Sequence, residues 1–397
     1  MTQGTSSTVV QRARRRTLTG LNPVLESVLA AIVGLLVGAL LMKIWGYDPV
    51  KAYVWMLKGG YGSMFGFASS VARAIPLILT ALTFSICVRA GMFNIGAEGQ
   101  LIIGTMAATA VAYFSLPSGV HHLVAMVFAM LAGGLWSLIP AFLKITRGVS
   151  EVISTIMFNW IARWLAFYLI ANILVDPLRA EKTVSFPLSA RFPSLVRGTN
   201  LSYAIFASVA FAIVIYFVLW HTVVGYEVRA AGLNPTAARY GGINTRRTML
   251  LSFILGGMGA GLAGALFVMG TPPTYAVFSG MPEISNLGFD GMAVAMVGRN
   301  HPIGIIASAI FFGGLTAGGR VMQFRAGVPL EMVRVVMGVV VLAMAIPELI
   351  RLFPWAKRHL TGLGQHLTGR RPPARENALE ISDEKSAADE AGERRAA

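Results

Sequence analysis

The sequence predicts an all-α integral membrane protein of about ten transmembrane helices in a 5+5 inverted repeat. Three observations predict it. Hydrophobic residues make up 55% of the chain against 13% charged, with a mean hydropathy of +0.66, far more apolar than a soluble domain. The apolar residues gather in runs of about 20, enough to cross the hydrocarbon core of a bilayer. One short polar motif also occurs twice, as Asn94-Ile95-Gly96-Ala97-Glu98-Gly99 and as Asn286-Leu287-Gly288-Phe289-Asp290-Gly291, each time opening an apolar run.

Composition excludes several classes. Cys87 is the only cysteine and sits in an apolar run, so neither a disulfide framework nor a thiolate metal cluster is expected. The net charge of +15 would point to nucleic acid in a soluble protein. Here the basic residues flank the apolar runs, which is the pattern of cytoplasmic loops, and no nucleic-acid partner is expected.

The basic stretch at 11–16 precedes the first run, 24–44, which no small-residue cleavage site follows; it reads as a retained anchor with a cytoplasmic N-terminus. Further crossings fit residues 69–88, 95–114, 120–143, 152–174, 201–220 and 249–269, then a short run at 287–298, then 303–319 and 332–352. Residues 24–355 thus form the polytopic domain, between a basic cytoplasmic N-terminus (1–23) and a tail (356–397) whose composition predicts a disordered or loosely helical cytoplasmic segment. Alternation puts the loops at 144–147, 221–247 and 299–301 inside, as their charge requires. It puts 176–200 and 320–331 outside although Arg179, Lys182, Arg191, Arg197, Arg320 and Arg325 lie there, against the charge rule. The former is long enough to carry a small helix or receive a soluble partner.

The two motif copies open the third and eighth crossings. An odd offset makes equivalent helices run in opposite senses, as in inverted-repeat transporters whose site lies at the repeat interface. Chance recurrence in a Gly-rich chain is the competing reading; the placement of both copies at Gly-interrupted helix starts weighs against it. A carboxylate at membrane depth costs at least ~2.5 kcal/mol on insertion scales, so Glu98 marks a group facing water, protein or solute. Two roles stay open for Glu98 and Asp290: orienting a polar solute, or bracing a broken helix through its free N–H groups. The candidate translocation-path residues are Asn94, Glu98, Gln100, Asn159, Asn286, Phe289 and Asp290.

Asn159 belongs to a stripe, Glu151, Thr155, Asn159 and Arg163, that repeats every four residues and so lies along one helix face. Such a stripe lines a cavity or joins helices by hydrogen bonds. Gly259, Gly261 and Gly264 satisfy G-x-G-x-x-G, yet an apolar run of helix length offers no βαβ unit; close helix packing, including Gly257-x-x-x-Gly261, is the better reading. No G-x-x-x-x-G-K-[ST] phosphate loop is present, so ATP, if used, is hydrolysed on another chain. The pair His121-His122 reads as a solvated turn rather than a metal site, and no cofactor is expected on this chain.

The longest inward loop, GYEVRAAGLNPTAARYGGINTRRTM (225–249), mixes Glu227, Arg229, Arg239, Arg246 and Arg247 with Val228, Ala230, Ala231, Leu233, Ala237, Ala238 and Tyr240. Asn234-Pro235 starts a helix and Gly241-Gly242 stops it. This short amphipathic element either seats in a partner's groove or lies on anionic membrane lipid.

The strings GMFNIGAEGQ (91–100), EVISTIM-N (151–159), E-RAAG-NP-AARYGGI (227–243) and GFDGMAVAMVGRNHPIG (288–304) resemble the permease subunits of bacterial ATP-binding-cassette importers. The branch is that of the simple-sugar and nucleoside permeases, related to the branched-chain amino acid permeases, and the resemblance spans roughly 24–352. It implies a multi-pass protein of the bacterial cell (inner) membrane that is not itself an enzyme and carries a nucleoside or simple sugar. It implies as partners an ATPase subunit that binds the ATP, a second, related permease subunit in a heterodimer, and an extracytoplasmic substrate-binding (lipo)protein. It assigns the loop at 225–246 to ATPase coupling, with Glu227, Ala231, Gly232, Asn234, Ala238, Arg239, Tyr240 and Gly241 as candidates. The loop departs from the general pattern in carrying Arg229 between Glu227 and Ala230 and in lacking an Ile-x-Leu-Pro ending. From another class, an ion-gradient-driven secondary transporter would use Glu98 and Asp290 as ion ligands. A membrane enzyme fits worse, because no His, Ser or Cys constellation accompanies the carboxylates.

Overall fold

The helices are set by apolar runs cut at Gly, Pro and Asn. A computed structural model describes residues 23–352; the basic stretch at 11–16 and the tail expected to be disordered lie outside the described residues. The chain divides into units Met1–Met344 and Ala345–Ala397. Along the described residues run α1 (Pro23–Ile44), α2 (Pro49–Tyr61), α3 (Met64–Arg89), α4 (Ala97–Val111), α5 (Val120–Arg147), α6 (Glu151–Asn172), α7 (Ala204–His221), α8 (Val223–Leu233), α9 (Pro235–Tyr240), α10 (Thr245–Gly270), α11 (Leu287–Val297), α12 (Pro302–Ala326) and α13 (Glu331–Leu352).

Six of these, α3, α5, α6, α7, α10 and α12, are long and apolar enough to cross a membrane. Two expected crossings take another form. The runs at 95–114 and 287–298 fold as α4 and α11, of 15 and 11 residues; at 1.5 Å per residue they reach only about 22 and 16 Å, short of a ~30 Å hydrocarbon core.

The apolar windows of α3 and α10 are 78% and 72% buried, against 33%, 33% and 28% for α5, α6 and α7. The first two are therefore the spine, and the other three turn large apolar side chains such as Phe128, Trp164 and Phe217 outward, as a lipid-facing ring requires. α3 and α10 run antiparallel: the Thr83 hydroxyl donates to the Gly256 carbonyl (2.8 Å), and one turn on Cys87 Sγ reaches the Ser252 carbonyl (3.5 Å). A glycine seam joins α10 to α4 and α5. Any Cβ on Gly257 would strike the Gly133 carbonyl, one on Gly261 the Ala129 carbonyl, and one on Gly104 the Gly261 backbone. Apolar helices approach this closely only through small residues, which is the packing reading of the G-x-G-x-x-G string.

The apolar pattern does not mark α2 as a crossing. Its start is nonetheless well signalled: Asp48 accepts from the Val50 and Lys51 N–H groups at 3.0 and 3.1 Å, and Pro49 fills the first helical position. Its C-terminal Tyr61 donates its hydroxyl to the Phe311 carbonyl of α12 at 2.8 Å.

The long loop after α6 carries a two-stranded antiparallel pair, Val175–Asp176 with Arg179–Thr183, and a single 3-10 turn, Leu188–Ala190. It is pinned to the segment after α10 by backbone bonds from Thr183 N to Val277 O and Phe186 N to Tyr275 O, both 2.9 Å. Lys182 pairs with Asp176 (3.0 Å), and the Asp176 carboxyl is held below its usual range by the Leu178 N–H first and Lys182 next. His121 corrects the solvated-turn reading. It is fully buried, with Nδ1 at 2.9 Å from Ser189 Oγ and Nε2 at 3.1 Å from the Val111 carbonyl, so it ties the α4 end to the loop.

Candidate translocation junction and coupling loop

The two copies of the twin motif meet. α11 runs parallel to α3, since the Thr80 hydroxyl donates to the Leu287 carbonyl (3.1 Å) at the start of α11 and the Ser85 hydroxyl to the Asn300 carbonyl (2.8 Å) just past its end. α4 runs parallel to α6, joined by Gly99 N to Asn159 Oδ1 (2.8 Å) at one end and by the Tyr113 hydroxyl to the Ile173 carbonyl (3.2 Å) at the other. α5 is antiparallel to α10 along the glycine seam and turns directly into α6, so α6 and α4 share the sense of α10, opposite to α3 and α11. The half-length helices thus run in opposite senses.

Their N-termini face one another across one carboxylate. Glu98, in the first turn of α4, accepts the Asn286 N–H on one oxygen (2.6 Å) and the Gly288 N–H on the other (2.7 Å), taking up orphan donors of the opposing helix. A helix N-terminus carries about half a positive charge, so the site suits an anion from both sides. The approach demands glycine: any Cβ on Gly288 would collide with the Glu98 backbone.

The first copy of the motif is buried and saturated. Asn94 Oδ1 accepts from Gly96 N (2.9 Å) and from Gln100 Nε2 (3.1 Å), and Asn159 returns a bond from Nδ2 to the Ile95 carbonyl (2.9 Å). Asn94, Glu98, Gln100 and Asn159 are each no more than 7% exposed. The second copy is open. Asn286 stands at φ +71 with no side-chain cap, Phe289 is 41% exposed, and Asp290 is half-buried. Three members of the stripe on α6 reach other elements: Glu151 pairs with Lys144 of α5 (2.8 Å), Asn159 holds the start of α4, and Arg163 reaches Ser285 Oγ at 3.5 Å, on the segment leading to α11; Thr155 bonds back to the Glu151 carbonyl of its own helix (2.7 Å).

At the end of the bundle where α3 finishes, the 225–246 loop forms α8 and α9. Asn234 caps α9, accepting from Thr236 N and Ala237 N (both 3.1 Å), as the Asn-Pro signal requires. The coupling candidates divide. Ala231 and Ala238 are buried within this chain, and Gly232 presses on the Arg89 carbonyl so tightly that no Cβ fits. Glu227 is half-buried; Asn234, Arg239 and Gly241 are exposed, with Arg239 Nε donating to Thr245 Oγ1 (3.1 Å). The apolar face offered outward is Leu233 and Tyr240, 90% and 91% exposed. Sequence reasoning missed one cluster beside them, Arg89, Trp220 and His301. Its members are far apart in the chain, and only the basic residue closing α3 hinted at it.

A family model for the permease component of branched-chain amino acid transport systems matches residues 66–345. The chain belongs to this permease family. The permease is 36% identical over 335 residues to the guanosine ABC transporter permease protein NupP of Bacillus subtilis, covering 83% of this chain and 95% of the relative. It is 32% identical over 346 residues to the nucleoside ABC transporter permease protein NupB of Lactococcus lactis, covering 84% and 94%. It is 32% identical over 365 residues to the glucose ABC transporter permease protein TsgB13 of Haloferax volcanii, covering 87% and 92%. No solved structure matches it. The permease is a multi-pass membrane transport subunit, not itself an enzyme, and these relatives lend no support to the ion-gradient reading.

Proposed function

We propose that the permease is the membrane-spanning subunit of an ATP-driven importer and forms the translocation path for a nucleoside handed over by an extracytoplasmic binding (lipo)protein. The observation that carries this reading is end-to-end similarity to a guanosine and a nucleoside permease. Import of a simple sugar is the second reading, favoured by the glucose permease. A second guanosine permease of B. subtilis (29% identical) and a second nucleoside permease of L. lactis (25%) are also relatives, which supports a heterodimer with a related chain. ATP binds to a separate ATPase subunit. The termini are cytoplasmic, residues 24–355 are the polytopic domain flanked by 1–23 and 356–397, and about ten helices enter the bilayer as two inverted halves, with α4 and α11 as the broken helix of each half. Asn286, Phe289 and Asp290 face the solute; Asn94, Glu98, Gln100 and Asn159 brace the junction.

Uptake of labelled guanosine and labelled glucose by the reconstituted transporter tests the substrate. ATP-dependent guanosine uptake is expected; uptake of glucose alone would favour the second reading, and uptake driven by an ion gradient without ATP would overturn both.

The outward Leu233 and Tyr240 are the expected anchors in the ATPase groove. Replacing an interface anchor costs ~2 kcal/mol or more, so Leu233→Asp with Tyr240→Asp is expected to weaken ATPase co-purification about thirtyfold or more while the permease still inserts. Undiminished co-purification removes α8 and α9 from that interface.

A further inference from the structure

Arg89 closes α3 and meets three other segments at its end of the bundle. Its Nε donates to the Asn300 carbonyl (2.8 Å), just past α11, and its guanidinium lies 4.5 Å from the centre of the Trp220 ring on α7. Its own carbonyl is the atom that Gly232 of α8 presses on, and two residues later Gly91, at φ +75, begins the climb to Asn94 and α4. Trp220 in turn meets His301 edge-on (4.8 Å) and carries Arg229 of α8 at 5.9 Å. One residue therefore meets the loop helix α8 through its carbonyl and the end of α11 through its side chain, and its main chain leads on into α4.

Three features show that this cluster is held in tension. Arg299 and Asn300 are consecutive non-glycine residues in the left-handed region, at φ +54 and +52. Asn300 Oδ1 is buried with no hydrogen-bond partner among the described residues. Arg89 and Arg229 share one indole, and neither has a carboxylate partner among the described residues. A buried orphan acceptor costs about 1–3 kcal/mol, and such strain gathers at switch regions, where a second arrangement relieves it.

We infer that Arg89, stacked on Trp220 and bonded to Asn300, is the latch that passes movement of the loop helix α8 to both half-length helices. This rests on the proposed coupling role of the loop. In the alternate arrangement α8 draws the Gly232–Arg89 contact aside, the guanidinium leaves Trp220, and its N–H groups reach the waiting Asn300 Oδ1. Arg89 is a positioning residue: it touches no solute, and it sets how the α4 and α11 roots stand relative to α8.

The test uses the complete transporter, with its ATPase, second permease and binding protein, in liposomes, and reads solute imported per ATP hydrolysed. Arg89→Gln is expected to lower this ratio about tenfold while the ATPase subunit still co-purifies. Arg89→Lys keeps the charge but loses the Nε donor and the planar face, so it is expected to stay low; full recovery with Lys would reduce Arg89 to a charge and overturn the latch. Asn300→Gly keeps the main-chain acceptor, relaxes the left-handed backbone and removes the orphan oxygen. It is expected to raise thermal stability while lowering the ratio, a split that a structural role alone does not produce. An unchanged ratio in Arg89→Gln or in Asn300→Gly overturns the proposal; should Arg89→Gln fail to assemble, Asn300→Gly decides alone. Absence of ATP-dependent uptake by the wild-type transporter would instead defeat the importer reading itself.

Discussion

Gly261→Leu is expected to leave no folded permease to purify. Gly261 is where α4, α5 and α10 converge: it abuts the Ala129 carbonyl and the Gly133 Cα, and Gly104 closes on it from α4. The obstructing atoms are backbone, so no side chain can swing away. Overpacking in ordinary cores costs about 1–3 kcal/mol. Here a four-carbon side chain must force open both helix interfaces at once, and a loss of ~5 kcal/mol or more equals the whole stability of many domains. Gly338→Leu is the control, because nothing lies within 4 Å of a Cβ there. Thermal denaturation in detergent followed by size-exclusion chromatography reads the outcome: a monodisperse Gly261→Leu protein with wild-type melting would refute the seam as a packing device.

Removal of the Glu98 carboxylate has the second largest expected effect. Glu98→Ala leaves the buried Gly288 N–H without an acceptor, at about 1–3 kcal/mol, frees the Asn286 N–H at a more exposed position for less, and opens a cavity beside them. Glu98→Gln keeps the shape but aims an amide N–H₂ at one of the two donors, so about half of that loss is expected. Melting temperature should fall in the order wild type, Gln, Ala, with uptake falling in parallel. Asp290→Asn, on the open copy of the motif, is expected to melt normally yet import poorly. If Glu98→Gln melts like the wild type and fails only in uptake, the carboxylate serves the solute rather than the fold.

The features legible in the sequence were those made by neighbours in the chain. Asn234-Pro235 announced α9 and its cap, Gly257-x-x-x-Gly261 announced a close approach, and the repeated N-[IL]-G-x-[DE]-G announced two helix starts. What partners those starts required was not legible. The two copies read alike, yet Glu98 closes a bond between them while Asp290 stays half-open, because that asymmetry arises from a contact 188 residues apart in the chain. Ala238 and Tyr240 read as one apolar face, but the fold buries the first and exposes the second. Asp48-Pro49 carried a clear helix start, but α2 has only 13 residues, too few to register as a crossing. His121 looked solvated beside His122 because its partners, the Val111 carbonyl at the end of α4 and Ser189 in the loop after α6, are brought to it only by the fold.

The head-to-head meeting of α4 and α11 has an electrical consequence. The positive ends of two helix dipoles, each equivalent to about half a charge, converge on the two oxygens of one carboxylate, so Glu98 holds together two ends that would otherwise repel. The carboxylate is thus the clasp of the junction: without it two like-charged helix ends face each other unscreened, and the half-length helices are expected to part at that point.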